Sequence, residues 1–510
     1  MEWSQDGTKL LVSGPVAQEK QGIWVISVIG ATLKKLRDDA HDASLSSDGS
    51  QIVFRDAITQ DMWLMDADGG HARLLLKHDP GYHLFYPTWF ANGKRIVYGQ
   101  YRVANGQATV ELESRDLQGG APTLLLSSPR LSAFAWGQKG RLIYAVREPP
   151  PNHADSNLWE LPYDEETGAP TGSPRRLTDW TGFFFDDPEL TADGSRFVFL
   201  NRRGQSDVYL GQLADNGNEL KTPQRLTLDD RIDWPGGWSL DGKTVFFYSD
   251  RNGTFDIFRQ GVSERNAEPV VTGTEEKWAP QISSDGKWIL YMQWPKAAEG
   301  APVPPGKLMR ASLTGGPSEA VMDIKGKPWI TYGSDPTETV AGYPSFRCPL
   351  HASATCVLAE ADDKQIVFTA FDPVQGRKQE LAKVPANSDL TRWDLSPDGS
   401  RVAMAIFDYK AGDLQIIPLA GGDPQKLSAM PWTELVAVAW AADGKSLFLA
   451  SFSSRGTSIV HMDFTAGSKL LFKPIWDIFS LSPSPDGNYL AFGPIVTNAN
   501  AWTIASFPRK

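Results

Sequence analysis

The chain has 510 residues, which is enough for two or more domains, and its 61 acidic and 50 basic residues give a formal net charge of −11. This balance argues against a nucleic-acid-binding surface, because such surfaces need clustered lysine and arginine. No apolar run approaches the roughly 18 residues that a membrane-spanning helix needs, so no span is predicted in this chain.

One short motif recurs along the chain. Its clearest copy, at 395–404, has an apolar residue, a serine, an Asp-Gly pair and then an alternating apolar run. Asp-Gly between two strand-like runs predicts a hairpin whose two central residues both have positive φ. Eleven copies are centred, in chain order, on Asp6, Asp48, Asn92, Lys139, Asp193, Asp241, Asp285, Asp362, Asp398, Asp443 and Asp486, of which those at Lys139 and Asp362 are degenerate.

The spacing of the motif and the residues between its copies predict the fold. Successive copies are commonly 42 to 45 residues apart, and about 40–45 residues is the length of one four-stranded propeller blade. An acid often opens the third strand of a unit, as at Asp61, Asp207 and Asp256, and a glycine-rich turn follows it. We therefore predict an all-β chain, a tandem β-propeller of about 11 four-stranded blades.

These units resemble the WD40-like PD40 repeats of TolB-type propellers over nearly the whole chain. Four segments of the C-terminal half also resemble extracytoplasmic sensor regions of bacterial receptors: Phe346-Arg347-Cys348-Pro349, Cys356-Val357-Leu358, Phe371-Asp372-Pro373 and Ala499-Asn500-Ala501-Trp502. Those receptors carry a serine/threonine kinase or a winged-helix domain before a membrane span. The resemblance implies a sensor or scaffold, tethered to an N-terminal signalling domain that this sequence lacks.

The motif count predicts two domains. Four motifs within 1–177 would form an incomplete ring, and seven within 178–510 would form a complete one. An incomplete ring exposes a strand edge, which is an aggregation hazard. We favour a longer protein in which upstream residues complete the first ring. The alternative is a division into six and five units with some exchange of strands.

The two cysteines, Cys348 and Cys356, are separated by a short loop. A disulfide there would stabilise the fold by roughly 2–3 kcal/mol and would imply an oxidising compartment. Two free thiols are the alternative, and zinc is disfavoured because only His351 lies nearby. The chain opens without a signal peptide, so we expect a periplasmic or extracytoplasmic location for a receptor fragment and a cytoplasmic one for a complete chain.

No catalytic motif is evident. The stretch 237–241 resembles a nucleophile elbow but lacks its second glycine, and the repeated aspartates are accounted for by their role in turns. The sequence therefore predicts a protein that is not an enzyme and that holds no cofactor or metal. The alternative is the propeller of a hydrolase, either a peptidase accessory or a glycan-active enzyme.

The residues that enter each first strand are expected to ring the mouth of a central channel, on the face opposite the Asp-Gly turns. Insertions at 148–154, 295–307 and 322–345 would decorate the same face. Charge beside aromatic rings suits a protein, peptide or carbohydrate ligand, and packing between blades is the alternative interpretation. The candidate contact residues are Asp186, Asp187, Asp233, Trp234, Lys277, Trp278, Arg392 and Trp393.

Overall fold

A computed structural model describes most of the chain. The residues it describes are 1–4, 6–14, 21–30, 32–79, 82–104, 107–137, 140–149, 155–191, 196–229, 231–295, 305–325, 344–350, 355–361, 365–385, 391–406, 413–453, 456–465, 467–474 and 476–505. Their regular structure consists of β-strands and one short 3₁₀ turn at Asp215–Gly217.

The first eighteen strands form five consecutive groups. They are β1 (Glu2–Trp3), β2 (Lys9–Gly14), β3 (Gly22–Ser27) and β4 (Leu33–Asp38); β5 (Ala40–Leu45), β6 (Gln51–Asp56), β7 (Met62–Asp66) and β8 (Arg73–Leu76); β9 (Tyr82–Trp89), β10 (Arg95–Ala104), β11 (Gln107–Asp116) and β12 (Thr123–Ser128); β13 (Leu131–Gly137), β14 (Arg141–Arg147), β15 (Ser156–Pro162) and β16 (Arg175–Arg176); and β17 (Phe185–Leu190) with β18 (Phe197–Ser206).

The remaining strands continue the same pattern. They are β19 (Tyr209–Ala214), β20 (Glu219–Leu220) and β21 (Gln224–Arg225); β22 (Asp233–Trp238), β23 (Thr244–Ser249), β24 (Asp256–Gly261) and β25 (Glu268–Val271); β26 (Glu276–Ile282), β27 (Trp288–Trp294), β28 (Gly306–Ser312) and β29 (Glu319–Ile324); β30 (Ser345–Arg347), β31 (Cys356–Ala361), β32 (Gln365–Asp372) and β33 (Gly376–Pro385); β34 (Thr391–Leu395), β35 (Arg401–Ile406), β36 (Asp413–Pro418) and β37 (Gln425–Ser428); β38 (Leu435–Trp440), β39 (Ser446–Ser451), β40 (Ser458–Asp463) and β41 (Gly467–Phe472); and β42 (Asp477–Pro483) with β43 (Tyr489–Ile504).

Four-stranded antiparallel sheets are the building unit. Within the described ranges there are nine of them, each with its strands in chain order, and one larger seven-stranded sheet. Short strands joined by tight turns leave each sheet with two apolar faces, and stacking sheets side by side buries those faces. The fold is that of an all-β propeller, as the repeat predicted.

The chain divides into two compact units. The first comprises Met1–Arg203, Glu299–Pro302 and Ala499–Lys510, and the second comprises Gly204–Ala298 and Val303–Asn498. The boundary expected between 177 and 178 thus lies inside the first unit. In the first unit β2 lies against β5, β5 against β9, and β13 against β17.

In the second unit the first strands of several sheets pack side by side. β22 lies against β26, β34 against β38, β38 against β42, and β42 against β22. The core lies between the sheets. Phe246 and Ile257 of one sheet, for example, pack with Ile289 and Tyr291 of the next, and all four side chains are at most 3% exposed. Because the first strands pack against one another, they face the middle of this unit.

The C-terminal strand β43 departs from the expected order. The sequence predicted that the run beginning at Asp207 is the third strand after β17 and β18, but β43 lies between β18 and β19 in the sheet. In the second unit β43 pairs with β42 and β19, where Tyr209 is opposite Phe492. In the first unit the ring of Trp502 packs 5.3 Å from that of Phe183. The last strand of the chain thus pairs with strands that lie far before it in the sequence.

The Asp-Gly turns differ in detail from the predicted type. In the turn after β34 the N–H of Gly399 donates to the carbonyl of Ser396 at 2.8 Å, and only the glycine has positive φ, at 75°. Asp398 instead accepts hydrogen bonds from the Ser396 hydroxyl at 2.6 Å and from the Ser400 N–H at 3.0 Å. This is a type I turn followed by a glycine bulge, so the expectation of two positive φ values was wrong.

The degenerate copy at Asp362 was also misplaced. Residues 366–368, interpreted from the sequence as a second strand, lie in β32, which is the third strand of its sheet. The first two strands, β30 and β31, are joined by the cysteine-containing loop instead of by an Asp-Gly turn. The copies at 192–195 and 362–364 themselves fall outside the described residues.

Candidate functional site

A cavity of about 130 Å³ lies at the ends of six first strands in the second unit. We call it the turn-side cavity because it opens where the Asp-Gly turns begin. Its walls come from β22, β26, β30, β34, β38 and β42 and the residues after them. The side chains and backbone groups that give it its chemistry belong to Trp238, Gln281, Arg347, Cys348, Leu350, Asp394, Trp440 and Ser482.

Position in the repeat explains the chemistry of the wall. The residue directly before the motif is glutamine in β26, aspartate in β34 and serine in β42, and Arg347 ends β30. The corresponding residues in β22 and β38 are Gly237 and Ala439. Three neighbouring strands thus supply long polar side chains and the other three supply small ones. The polar side chains form one wall of the cavity, and Gly237 and Ser482 are among the residues that line it from the other strands.

The polar wall contains an ion pair. The Nε of Arg347 donates to Oδ1 of Asp394 at 2.9 Å, and the Trp440 backbone N–H donates to Oδ2 at 2.8 Å. The Arg347 Nη1 donates to the carbonyl of Phe346 at 2.9 Å. Burial raises the pKa of Asp394 above its ordinary value, while Arg347 acts in the opposite direction. Each oxygen of Asp394 therefore already accepts a hydrogen bond from the protein.

Two further groups complete the wall. The Cys348 N–H donates to Oε1 of Gln281 at 3.2 Å, which fixes the orientation of the amide. Cys348 is bonded to Cys356, and after it the Leu350 N–H donates to the carbonyl of Pro397 at 3.0 Å. The disulfide loop is thus attached to β26 on one side and to the residues after β34 on the other.

Two tryptophans of the cavity differ in the hydrogen bonding of their indole N–H groups. Trp238 donates from Nε1 to the carbonyl of Ser482 at 2.9 Å, a bond between adjacent first strands. The indole of Trp440 is 3% exposed, and its Nε1 has no acceptor among the described residues. A buried N–H without an acceptor costs free energy unless water or a ligand accepts from it.

At the opposite ends of the first strands, two of the predicted contact residues are buried in ion pairs. Asp233 is fully buried, accepts from Nη2 of Arg251 at 3.0 Å, and has a pKa raised chiefly by burial. Lys277 is 3% exposed and donates to Asp256 at 2.8 Å. Both contacts join neighbouring segments of the second unit, so these charges have structural partners.

The three predicted tryptophans are in the core. Trp234, Trp278 and Trp393 are 6–7% exposed and belong to clusters of buried apolar side chains. Trp393 also donates from Nε1 to the Ser345 hydroxyl at 2.7 Å. Packing between sheets, the alternative weighed for these rings, describes their surroundings.

The last three predicted residues are more accessible. Asp187 is exposed with φ 42°, and its N–H donates to Oδ1 of the half-buried Asp186 at 3.1 Å. Both lie in the first unit, whereas half-buried Arg392 and the other five lie in the second. Six of the eight residues thus belong to the second unit and two to the first. Residues 150–154, 296–304 and 326–343 of the insertions lie outside the described part of the chain.

Sequence reasoning missed Gln281, Arg347, Asp394 and Trp440. The signal that could have found them is position. Residues of a first strand alternate between faces, so the residue directly before the motif points to the same side in each sheet. Comparing that single position across repeats picks out Gln281 and Asp394. It does not pick out Arg347, because β30 is not followed by the motif.

The sequence comparison identifies the type of propeller. Residues 170–301 match the family described as "TolB beta propeller domain" (PD40). This segment is a TolB-type propeller sequence. An uncharacterized protein of Agrobacterium fabrum (strain C58) is 27% identical over 122 residues, which are 23% of this chain and 40% of that protein. The match thus spans well under half of that relative's length.

Solved structures resemble the chain at low similarity. An oligogalacturonate lyase in complex with manganese is 14% identical, with a TM-score of 0.33 over 73% of this chain and 85% of that one. TolB from Acinetobacter baumannii is 16% identical, with a TM-score of 0.24 over 66% of this chain and 76% of that one. At these values the likeness supports no residue-by-residue correspondence. Among the described residues, no helix is long and apolar enough to cross a bilayer.

Proposed function

We propose that this TolB-type propeller is a non-catalytic binding module whose second unit holds its ligand at the turn-side cavity. The observation that carries the proposal is the convergence of six strand ends on one cavity with a polar wall. Concave sites with a few converging polar groups on a rigid scaffold are where proteins hold ligands.

The chemistry of the cavity lining favours binding over hydrolysis. Glycoside hydrolysis generally uses two carboxyl groups, and covalent catalysis needs a nucleophile beside a base. Asp394 is the one carboxylate among the described lining residues, and it is paired with Arg347. The hydroxyl of Ser484 donates to Asp486 at 2.5 Å. These contacts position the strands and leave no acid–base pair in the described lining.

We further propose that the chain works outside the cytoplasm, as the sensor or scaffold part of a bacterial signalling receptor. The Cys348–Cys356 disulfide supports this location, because such bonds persist mainly in oxidising compartments. The resemblance of the C-terminal half to receptor sensor regions supports the role. A receptor needs binding without turnover, which fits the lining described above.

Two assays on the purified protein test the proposal. The first measures hydrolysis of chromogenic peptides and glycosides, and we expect none above that of Ser482→Phe, whose ring would fill the cavity. The second measures the thermal shift produced by mixtures of tripeptides and of oligosaccharides, and we expect a shift that Ser482→Phe abolishes. Turnover that disappears in Ser482→Phe would show an enzyme and refute the proposal.

A further inference from the structure

Three residues of the turn-side cavity carry a donor that has no acceptor in the described part of the chain. Arg347 uses Nε and Nη1, which leaves Nη2 without an acceptor in the described part of the chain. Gln281 accepts from Cys348 through Oε1, so its Nε2 faces away from that bond and has no described acceptor either. The third donor is Nε1 of Trp440, which is buried without an acceptor in a residue that lines the cavity.

The carboxylate of Asp394 and the carbonyl of Ser482, by contrast, already accept hydrogen bonds from the protein. Both oxygens of Asp394 accept from Arg347 and Trp440, and the carbonyl of Ser482 accepts from Trp238. A bound group that satisfies the three donors therefore has to supply acceptor oxygens. The ion pair makes the wall neutral overall, and the guanidinium edge that faces away from Asp394 is the positive end of that pair. Arg binds carboxylates through such a fork of parallel donors.

The size and rim of the cavity limit the rest of the ligand. A volume of about 130 Å³ is smaller than the roughly 300–1,000 Å³ of pockets that hold drug-sized ligands. Leu240, Leu350 and the prolines at 349, 397, 483 and 485 surround the polar wall. Leu240 is 43% exposed. An apolar rim around a few donors suits a small polar head on a short apolar body.

Resting on the proposed binding function, we propose that the turn-side cavity binds a carboxylate carried on a short apolar body. The carboxylate oxygens accept from Nη2 of Arg347, Nε2 of Gln281 and Nε1 of Trp440, and the apolar body contacts Leu240, Leu350 and the prolines. A free monocarboxylic acid and the C-terminus of a peptide both present this chemistry.

Ligand-detected NMR tests the proposal with defined probes. Propionate and butyrate represent free acids, and tripeptides with a free or amidated C-terminus represent peptides. We expect carboxylates to bind at least about tenfold more tightly than propionamide or the amidated peptides, since hydrogen bonds to a charged group are the stronger class. Comparing butyrate with the free tripeptide shows which source the cavity prefers.

The sharpest variant is Gln281→Glu. It keeps an oxygen that accepts from the Cys348 N–H, but it replaces the Nε2 donor by a charged acceptor that repels a carboxylate. We expect carboxylate affinity to fall at least about tenfold while the thermal stability stays close to that of the wild type. Ser482→Phe, which fills the small-residue side, should also abolish binding. Val374→Phe, at a side chain that is 60% exposed and outside the cavity, is the matched control.

The outcomes separate this inference from the proposed function. Carboxylates that bind equally to wild type, Gln281→Glu and Ser482→Phe would overturn the inference. So would amides that bind as tightly as acids. Binding of neutral peptides or sugars, but of no carboxylate, would overturn the inference and leave the binding function standing. Turnover lost in Ser482→Phe would refute the function itself.

Discussion

Two aspartates illustrate how residue surroundings set the pH dependence of this protein. Asp398 accepts from the hydroxyls of Ser396 and Ser400 and from a backbone N–H, which lowers its pKa from 3.8 to about 2. Asp207 is 3% exposed, and burial raises its pKa from 3.8 to about 6 although Arg225 donates to it at 2.7 Å. The two shifts have opposite signs.

The predicted consequence is a contrast between Asp207→Asn and Asp398→Asn. A raised pKa favours the protonated form in the fold, so the stability of the wild type relative to Asp207→Asn should fall as the pH rises from about 4 to about 6. A lowered pKa favours the ionised form. The extra stability of the wild type over Asp398→Asn should therefore be complete above about pH 4 and be lost towards pH 2. Denaturant unfolding across pH measures both, and parallel curves for the two variants would contradict the assignment.

Glycines of the Asp-Gly turns give a second residue-level prediction. Gly242 has φ 68°, and a Cβ there would lie 2.6 Å from the carboxyl carbon of Asp486, which is held by Ser484 and the N–H of Asn488. Gly444 has φ 66°, but its nearest neighbour would be Cδ of Pro397 at an ordinary 3.6 Å. Gly444→Ala should cost about 1–2 kcal/mol from backbone strain alone.

Gly242→Ala should lower the free energy of unfolding by about 1 kcal/mol more than Gly444→Ala does, because Asp486 must also give up a hydrogen bond. The two glycines have the same conformation in the same unit, so their difference isolates the contact. Unfolding in urea, followed by tryptophan fluorescence, measures the difference in stability between the two variants. Equal losses for the two variants would show that Asp486 moves aside freely.

At the scale of one element, the loop between β30 and β31 replaces an Asp-Gly turn by a disulfide. Because Cys348 is tied to Gln281 and Leu350 to Pro397, the loop joins neighbouring first strands as well as its own sheet. Replacing both cysteines by alanine should lower the free energy of unfolding by roughly 2–3 kcal/mol. A reducing agent should lower the stability of the wild type similarly and leave the double variant unchanged, and an effect of reductant on the double variant would contradict this origin.

The sequence predicted the elements that are set by local chemistry. The Ser-x-Asp-Gly pattern predicted the hairpins because serine, aspartate and glycine each stabilise the turn through their own neighbours, as at Ser396, Asp398 and Gly399. It could not predict the place of β43, because pairing Tyr209 with Phe492 depends on segments nearly 300 residues apart. The copy at Asp362 was misplaced for another reason, because β30 has only three residues and is too short to show a strand pattern of its own.

The candidate site was predictable only in part. Charge beside tryptophan at the strand starts looked like a ligand mouth, but Asp233 and Lys277 have buried partners in Arg251 and Asp256. Those partners lie 18 and 21 residues away along the chain, so the pairs form only when the strands of a sheet pair, as for Asp233, or when two sheets pack together, as for Lys277. The polar wall of the turn-side cavity is likewise made by residues from three different sheets, and no local pattern joins them.

At the scale of the whole molecule, the chain leaves the first unit near Arg203 and its last residues, from Ala499 onward, belong to that unit again. The residues of β43 therefore belong partly to the second unit and partly to the first. Its first part pairs with β42 and β19 in the second unit. Its end places Trp502 against Phe183 and Ile504 beside the buried cluster around Phe185 in the first. Terminal strands that complete a sheet cover edges that would otherwise be open for pairing.

Deleting residues 499–510 should therefore destabilise the first unit and leave the second nearly unchanged. Hydrogen exchange followed by mass spectrometry measures this unit by unit, because amides in β17 and β18 should lose protection while those in β22 to β41 keep theirs. Ile504→Ala should produce a smaller loss in the same place by removing apolar contact with the Phe185 cluster. Leu470→Ala, at a side chain that is 43% exposed in the second unit, is the control. Loss of protection spread equally over both units would show that they unfold together and that β43 does not stabilise them separately.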